Sequence, residues 1–278
     1  MGMRISTNTS AINAHRNLER TQTAEDKTMS HLSTGSRITE AGDDAAGFSV
    51  STSLNANIRS TQAALRNTND GISMVQVAEG AVQTISDRLI RMRELGIQAS
   101  SDTISDTERR MINREVQQTK SEIDRMVSTT EYNGKKILNG GGSWPGFDVQ
   151  VGIHADEHNQ LGVDRRRFNF NSDHLGLHGL DFSSKDSARE HLADLDFALE
   201  RVSSYRATLG ALQSRFTTIA SGLGTSEVNL STANSRIKDA DVASETSDLA
   251  RNKILREAGT AVLAQANTQP QQALKLIG

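Results

Sequence analysis

LQSRFTTIASGLGTSEVNLSTANSRIKDA, residues 212–240, decides the fold. Stepping along it by fours and threes gives Leu212, Phe216, Ile219, Leu223, Ser226, Leu230, Ala233, Ile237 and Ala240. That alternation is the seam of a coiled coil. A stripe so narrow cannot wrap a globular core, and a lone helix would leave it in water. The seam therefore lies against other long helices.

Composition points the same way. At 278 residues with 35% apolar content, the chain is poor in core material for a compact globule, which favours an elongated or assembling protein. Pro145 and Pro270 are the only prolines, so long helices are permitted nearly everywhere. Aromatic residues make up 4% and cysteine is absent, which excludes disulfides, thiolate metal sites and cysteine nucleophiles. A formal net charge of -3 carries no basic bias, so no nucleic acid partner is expected. No apolar run approaches the roughly 18 residues of a membrane span, so no membrane insertion is expected. The opening MGMRISTNTS lacks a charged region followed by an apolar one, so export by an ordinary cleaved signal is not expected. Met1-Gly2 with Ser6 fits a myristoylation pattern, but one too short to carry weight.

In chain order, residues 4–38 read as a weakly amphipathic helix, with Ile5, Ile12, Leu18, Met29, Leu32 and Ile38 separated by small polar residues. Such a helix is marginal alone and orders on contact with partners. A break follows in LSTGSRITEAGDDAAGFSV, residues 32–50, where Asp43 or Asp44 caps the next helix. That helix is expected over residues 53–99. One apolar line runs through Ile58, Leu65 and Ile72, then shifts to a second through Val75, Ala78, Val82, Ile85, Leu89 and Met92. After a turn at residues 102–106 a third helix carries Ile112, Val116, Thr119, Ile123 and Met126, antiparallel to the second because the connection is short. Residues 131–185 are punctuated by glycine and hold alternating stretches such as FDVQVGI and RRRFNFN, the expected β-region. Helical spacing resumes near Ser187 and continues to Ala240, a helix of about 54 residues or roughly 80 Å. A last helical stretch carries Leu249, Leu255, Ala258, Val262, Ala266, Leu274 and Ile277.

The expected fold is thus mainly α: an elongated antiparallel coiled-coil helical bundle with a small β-hairpin region in the middle of the chain. The two ends are alike, amphipathic yet apolar-poor and rich in small residues. Helices leaving and re-entering one rod bring them alongside each other. A single such pair buries little, which directs the remaining apolar surface to other copies.

Catalytic and ligand motifs are few. HADEH, residues 154–158, fits the H-x-x-E-H pattern of a zinc peptidase class. Two histidines four apart share a metal only on a helix, and this string lies between strand-like segments, where it reads as a hairpin loop. The five histidines from His154 to His191 are assigned to the surface. Arg165–Arg167 reads as a solvated strand, with Phe168 and Phe170 alternating beyond it. Phosphate loops, Ser-His-Asp arrangements and dinucleotide fingerprints are missing, so neither enzymatic activity nor a cofactor or metal is expected.

Four segments carry a resemblance to a known family. LSTGSRITEAGDDAAG (32–47), RMRELGIQAS (91–100), SEIDRMVSTTEYNGKKIL (121–138) and SRIKDADVASETSDLARNKILREAGTAVLAQANTQPQQALKLI (235–277) resemble bacterial flagellin, the subunit of the flagellar filament. With the intervening helices the similarity covers about 230 residues, in the expected order. The middle of the chain is short, so it looks like a flagellin lacking large variable outer domains. The opening Met1-Gly2-Met3-Arg4 departs from the family's usual start.

The resemblance implies residues 1–44 paired with 240–278 as an inner terminal coiled-coil domain, and 45–239 as an outer rod. Ile5, Ile12, Leu18, Leu32, Leu255, Val262, Leu274 and Ile277 would then pack between subunits. It implies a helical homopolymer for swimming motility, extracellular, exported by the flagellar type III export apparatus without a cleaved signal peptide. An export chaperone, cap and junction proteins would be its other partners. It further places a vertebrate innate receptor's recognition residues on Arg91, Leu95 and Glu115, beside the plainer reading of two solvated charges and a leucine packed between subunits. A hook-filament junction protein, a zinc peptidase and a cytoplasmic coiled-coil adaptor are the rival readings.

Overall fold

The computed structural model describes residues 7–140, 146–164 and 168–277, without the side chains of 163, 164 and 270–277. Five long helices dominate: α1 (Thr9–Thr34), α2 (Ala45–Ala99), α3 (Asp106–Thr129), α4 (Lys185–Lys238) and α5 (Val242–Ile277). Two small antiparallel hairpins lie between α3 and α4: β1 (Glu131–Tyr132) with β2 (Lys135–Lys136), and β3 (Gly146–Gln150) with β4 (Gln160–Asp164). The chain forms two compact units, Met1–Ile58 with Val228–Gly278 and Arg59–Glu227. Their boundaries fall inside α2 and α4, whereas the sequence reading divides the chain at 44/45 and 239/240.

Residues 59–227 hold the aliphatic core. Val75, Val82, Ile85, Leu89, Met92 and Ala99 of α2 face Ile112, Val116, Ile123 and Val127 of α3 and Leu195, Val202, Leu209 and Phe216 of α4. α2 and α4 are antiparallel: Arg93 pairs with Asp196 at 2.6 Å, and Gln62 donates to Glu227 at 2.7 Å. Glu227 thereby takes the inward place that spacing gave to Ser226, which is exposed.

The expected shift of apolar line along α2 is absent. Thr61, Ala64, Thr68 and Gly71 continue the buried stripe, while Ile58, Leu65 and Ile72 are half-buried at its sides. Small residues serve because the opposing helix brings a large one: a Cβ on Gly71 would lie 2.9 Å from the Phe216 ring. Thr68 stays dry without cost to hydrogen bonding, since its hydroxyl donates to the Ala64 carbonyl at 2.7 Å.

The α2–α3 turn is fixed by two devices. Ser105 and Glu108 form a reciprocal capping box at the start of α3. The buried Arg109 guanidinium donates to the carbonyls of Ala99 and Ser101 at 2.9 and 2.6 Å and pairs with Asp106 at 2.7 Å, satisfying the open end of α2.

Asn133 and Gly134, both at positive φ (49° and 74°), make the two-residue turn of the first hairpin. His154 and His158 are exposed in the connection of the second, where a 3-10 turn spans Glu157–Asn159, and not on an α-helix. Phe168 and Phe170 are buried, but the expected strand there reduces to one bridge, Asn139 with Asn169; Arg165–Arg167 lie outside the described residues. His191, half-buried and 2.9 Å from Asp194, departs from the surface assignment, and so does His174. His174 is half-buried, accepts from Arg201 at 2.7 Å, and is held below the ordinary imidazole pKa by burial and then by that guanidinium.

Candidate assembly surface

In the unit containing both chain ends, α1 and α5 pack antiparallel. Asn8 caps α1 by accepting from Ala11 N at 3.0 Å, and its amide donates to Ala266 O at 2.8 Å. Further along, Glu25 meets Arg256 at 3.1 Å, Asn252 reaches Thr28 at 3.5 Å, and His31 lies 3.0 Å from Glu245. The seam is therefore polar. Its buried positions on α1 are Ala14, Glu25, Thr28 and His31. Among the described residues, the only buried apolar side chains of the two helices are Ala14 and Ala266.

Where α1 ends and α5 begins, backbone holds the pair. Gly35 takes a left-handed φ of 67° as the C-cap. Arg37 N donates to Lys238 O at 2.6 Å, and Ala240 N to Gly35 O at 3.0 Å. Ile38, expected within the first helix, lies beyond its end and is buried. Asp241 accepts from Ala243 N at 3.0 Å to start α5.

The two aspartates before α2 divide the work. Asp44 accepts from Gly47 N at 2.9 Å, an N-cap that starts α2 at Ala45, eight residues before the position expected from spacing. Asp43 turns back toward α1, pairing with Lys27 at 2.8 Å and accepting from Thr39 N and Oγ1 at 3.0 and 2.9 Å. The Lys27 ion pair, then the Thr39 bonds, hold its carboxyl well below the usual range.

The large aliphatic side chains divide: Leu18, Leu32, Leu249 and Leu263 are half-buried, while others face water. On α5, Ile254 is 66% exposed and Val262 59%, with Leu255 and Val242 also exposed. On α1, Ile12 and Met29 are exposed, and Phe48, Val50 and Val228 add to the apolar surface of this unit. Of the residues expected to pack between subunits, Ile12, Leu255 and Val262 lie on this outward face. Leu18 and Leu32 are half-buried, with Leu18 against Gly259 of the same chain. Ile5 and the side chains of Leu274 and Ile277 lie outside the described residues. Ile254 and Val242 are outward residues that sequence reasoning missed. The signal for Ile254 was the four-three spacing of Ala243, Ser247, Ala250, Ile254, Ala258 and Ala261, a second stripe on the same helix, which does not include Val242.

Arg91 and Glu115 meet on the surface at 3.1 Å, joining α2 to α3, and Arg91 also pairs with Glu94 at 3.2 Å. Glu115, then Glu94, hold the Arg91 guanidinium above its usual pKa. Leu95 is not with them. It is 2% exposed and belongs to the core of its own chain. Among the described residues no His, Asp and Glu cluster is arranged to hold a metal, and no helix is long and apolar enough to cross a membrane.

A chain whose terminal helices pair through polar groups and turn aliphatic side chains outward belongs to the class of self-assembling structural proteins. Residues 5–143 match the bacterial flagellin N-terminal helical region, and residues 192–277 the bacterial flagellin C-terminal helical region. The chain is 38% identical to a flagellin of Halalkalibacterium halodurans, over 99% of this chain and 100% of that one. It is 38% identical to the flagellar filament 30.7 kDa core protein of Treponema maltophilum, with the same coverage. A crystal structure of Bacillus cereus flagellin is similar at 25% identity with a TM-score of 0.50, over 57% of this chain and 88% of that one. The chain belongs to the bacterial flagellin family.

Proposed function

We propose that this chain is the structural subunit that polymerises into the bacterial flagellar filament, through the outward apolar faces of α1 and α5. The observation that carries the reading is the division at the chain ends: carboxylate, guanidinium, imidazole and amide lie inside the pair beside half-buried leucines, while Ile12, Ile254, Leu255 and Val262 face water. An isolated subunit leaves that aliphatic surface in water. A helical array repeats one heterologous contact and covers it in every copy except those at the ends. Residues 1–44 and 240–278 form the inner domain of the array, and 45–239 the outer one. The chain acts without enzymatic chemistry, as part of an extracellular filament, after passage through the flagellar export apparatus with a chaperone on its C-terminal helix. Cap and junction proteins bound the polymer. An innate receptor reading the α2–α3 face meets the Arg91–Glu115 pair, with Leu95 supporting it from beneath.

Removal of residues 241–278 tests the reading. The truncated chain is expected to keep the core of residues 59–227 and to stay in the supernatant when seeded and sedimented. Pelleted filaments from the truncated chain would overturn it. A hook-filament junction protein, the alternative, would stop after one ring on a seed, whereas this chain is expected to elongate for as long as free subunit remains.

A further inference from the structure

We propose that the polar rungs between α1 and α5 fix the axial register of the terminal pair. This deepens the assembly reading and names what keeps the outward face in one place. The inward positions of α1 are Ala11, Ala14, Leu18, Thr21, Glu25, Thr28 and Leu32, spaced by threes and fours. A seam of that period built from aliphatic residues would accept a slip of one heptad, since every knob would again find a hole. Here a slip is penalised. Moving α1 by seven residues so that Ala11 takes the place of Leu18 opposite Gly259 puts Leu18 opposite Arg256, carries the Glu25 carboxylate to the place of Leu32, and parts His31 from Glu245. The Glu25 side chain is 8% exposed, so the slipped pair holds an almost buried carboxylate without its cation. With Arg256 partly exposed, that loss suppresses the slipped state by about tenfold or more.

The same principle says that the rungs add little net stability, because desolvation of a buried ion pair offsets most of its attraction. Their use is to specify. A subunit that joins many copies through small-residue helices has to present its outward stripe at one height, and a sliding pair would present it at several. The backbone clasp between Arg37 and Lys238 and between Gly35 and Ala240 constrains only the end of the pair next to it, while the rungs run from His31 back to Glu25.

The chain has no cysteine, so engineered disulfides report cleanly. In the full-length protein, Leu18→Cys with Gly259→Cys reads the observed register, and Ala11→Cys with Gly259→Cys reads the slipped one. Both are oxidised below and above the concentration at which polymer forms. The slipped pair is expected to cross-link at less than about a tenth of the yield of the native pair. Replacing Glu25, Thr28, His31 and Arg256 by leucine is expected to bring the two yields within about threefold. If the slipped yield stays below a tenth in that variant, the clasp alone sets the register and the proposal is wrong. A second arm does not depend on the leucine variant folding. Glu25→Arg is expected to lower the native yield at least about fivefold, and adding Arg256→Glu to restore it to within about twofold. A swap that fails to restore the yield contradicts the proposal. Because the disulfide forms within one chain, a protein that never polymerised yet showed a single register would refute the assembly reading and leave this one standing.

Discussion

Changing Ile254, Leu255 and Val262 together to serine removes the largest aliphatic groups from the outward face of α5. In the single chain these side chains are 66%, 50% and 59% exposed. Full burial of such a side chain stabilises by about 1.5–3 kcal/mol, so the part still to be gained on assembly is roughly 1–2 kcal/mol each, or about 3–5 kcal/mol per subunit. At about 1.4 kcal/mol per tenfold, the free-subunit concentration in equilibrium with polymer should rise roughly 100- to 5,000-fold. Seeded growth followed by sedimentation over a range of total protein gives that concentration directly. Far-UV circular dichroism and thermal unfolding of the core provide the control, which should not move because none of the three residues is buried in the free chain. A critical concentration within about threefold of the parent, with the core intact, would show that these groups stay in water in the polymer and would refute the reasoning.

Three other outcomes are expected. Arg109→Ala leaves the Ala99 and Ser101 carbonyls without their donor at a buried turn and should destabilise the core by about 2–3 kcal/mol, read as a lowered midpoint of chemical unfolding. Gly71→Ala pushes a methyl toward the Phe216 ring at 2.9 Å and should cost about 1–3 kcal/mol, a loss that the double change with Phe216→Leu should partly recover. Asp43 titrates below the ordinary carboxylate range in the folded chain, so its contribution is fully present above its unfolded pKa and is lost only as pH falls through the lower folded value. Asp43→Asn should therefore weaken the junction of α1 and α2 at neutral pH, with the difference from the parent vanishing in strong acid, as followed by protease cleavage in residues 35–44.

The legible parts of the fold were those built from aliphatic side chains. Val75 to Met92 and Ile112 to Ile123 stood out because a hydrophobic period registers large residues, and the core uses large residues there. The stretch Thr61, Ala64, Thr68 and Gly71 stayed hidden for the converse reason. Its partner Phe216 fills the space, and which helix supplies the bulk is not a local property. The α1–α5 seam was hidden more deeply, because period analysis follows apolar residues, several of which face outward on these helices, while Glu25, Thr28, His31 and Arg256 turn in. Only pairing across more than 200 positions of sequence gives those charges an inside. Leu95 illustrates the limit for a site: its neighbours Arg91 and Glu94 are exposed, and one step around the helix places it in the core.

Hydrogen exchange on α5, compared between dilute chains and seeded polymer, tests most directly whether the chain ends draw their stability from neighbouring copies. With only Ala14 and Ala266 as buried apolar side chains in the described part of the pair, α1 and α5 should exchange much faster than residues 75–127 when dilute. They should become protected in the polymer, while residues 75–127 stay protected in both. Strong and equal protection of α5 in the dilute chain would contradict the account.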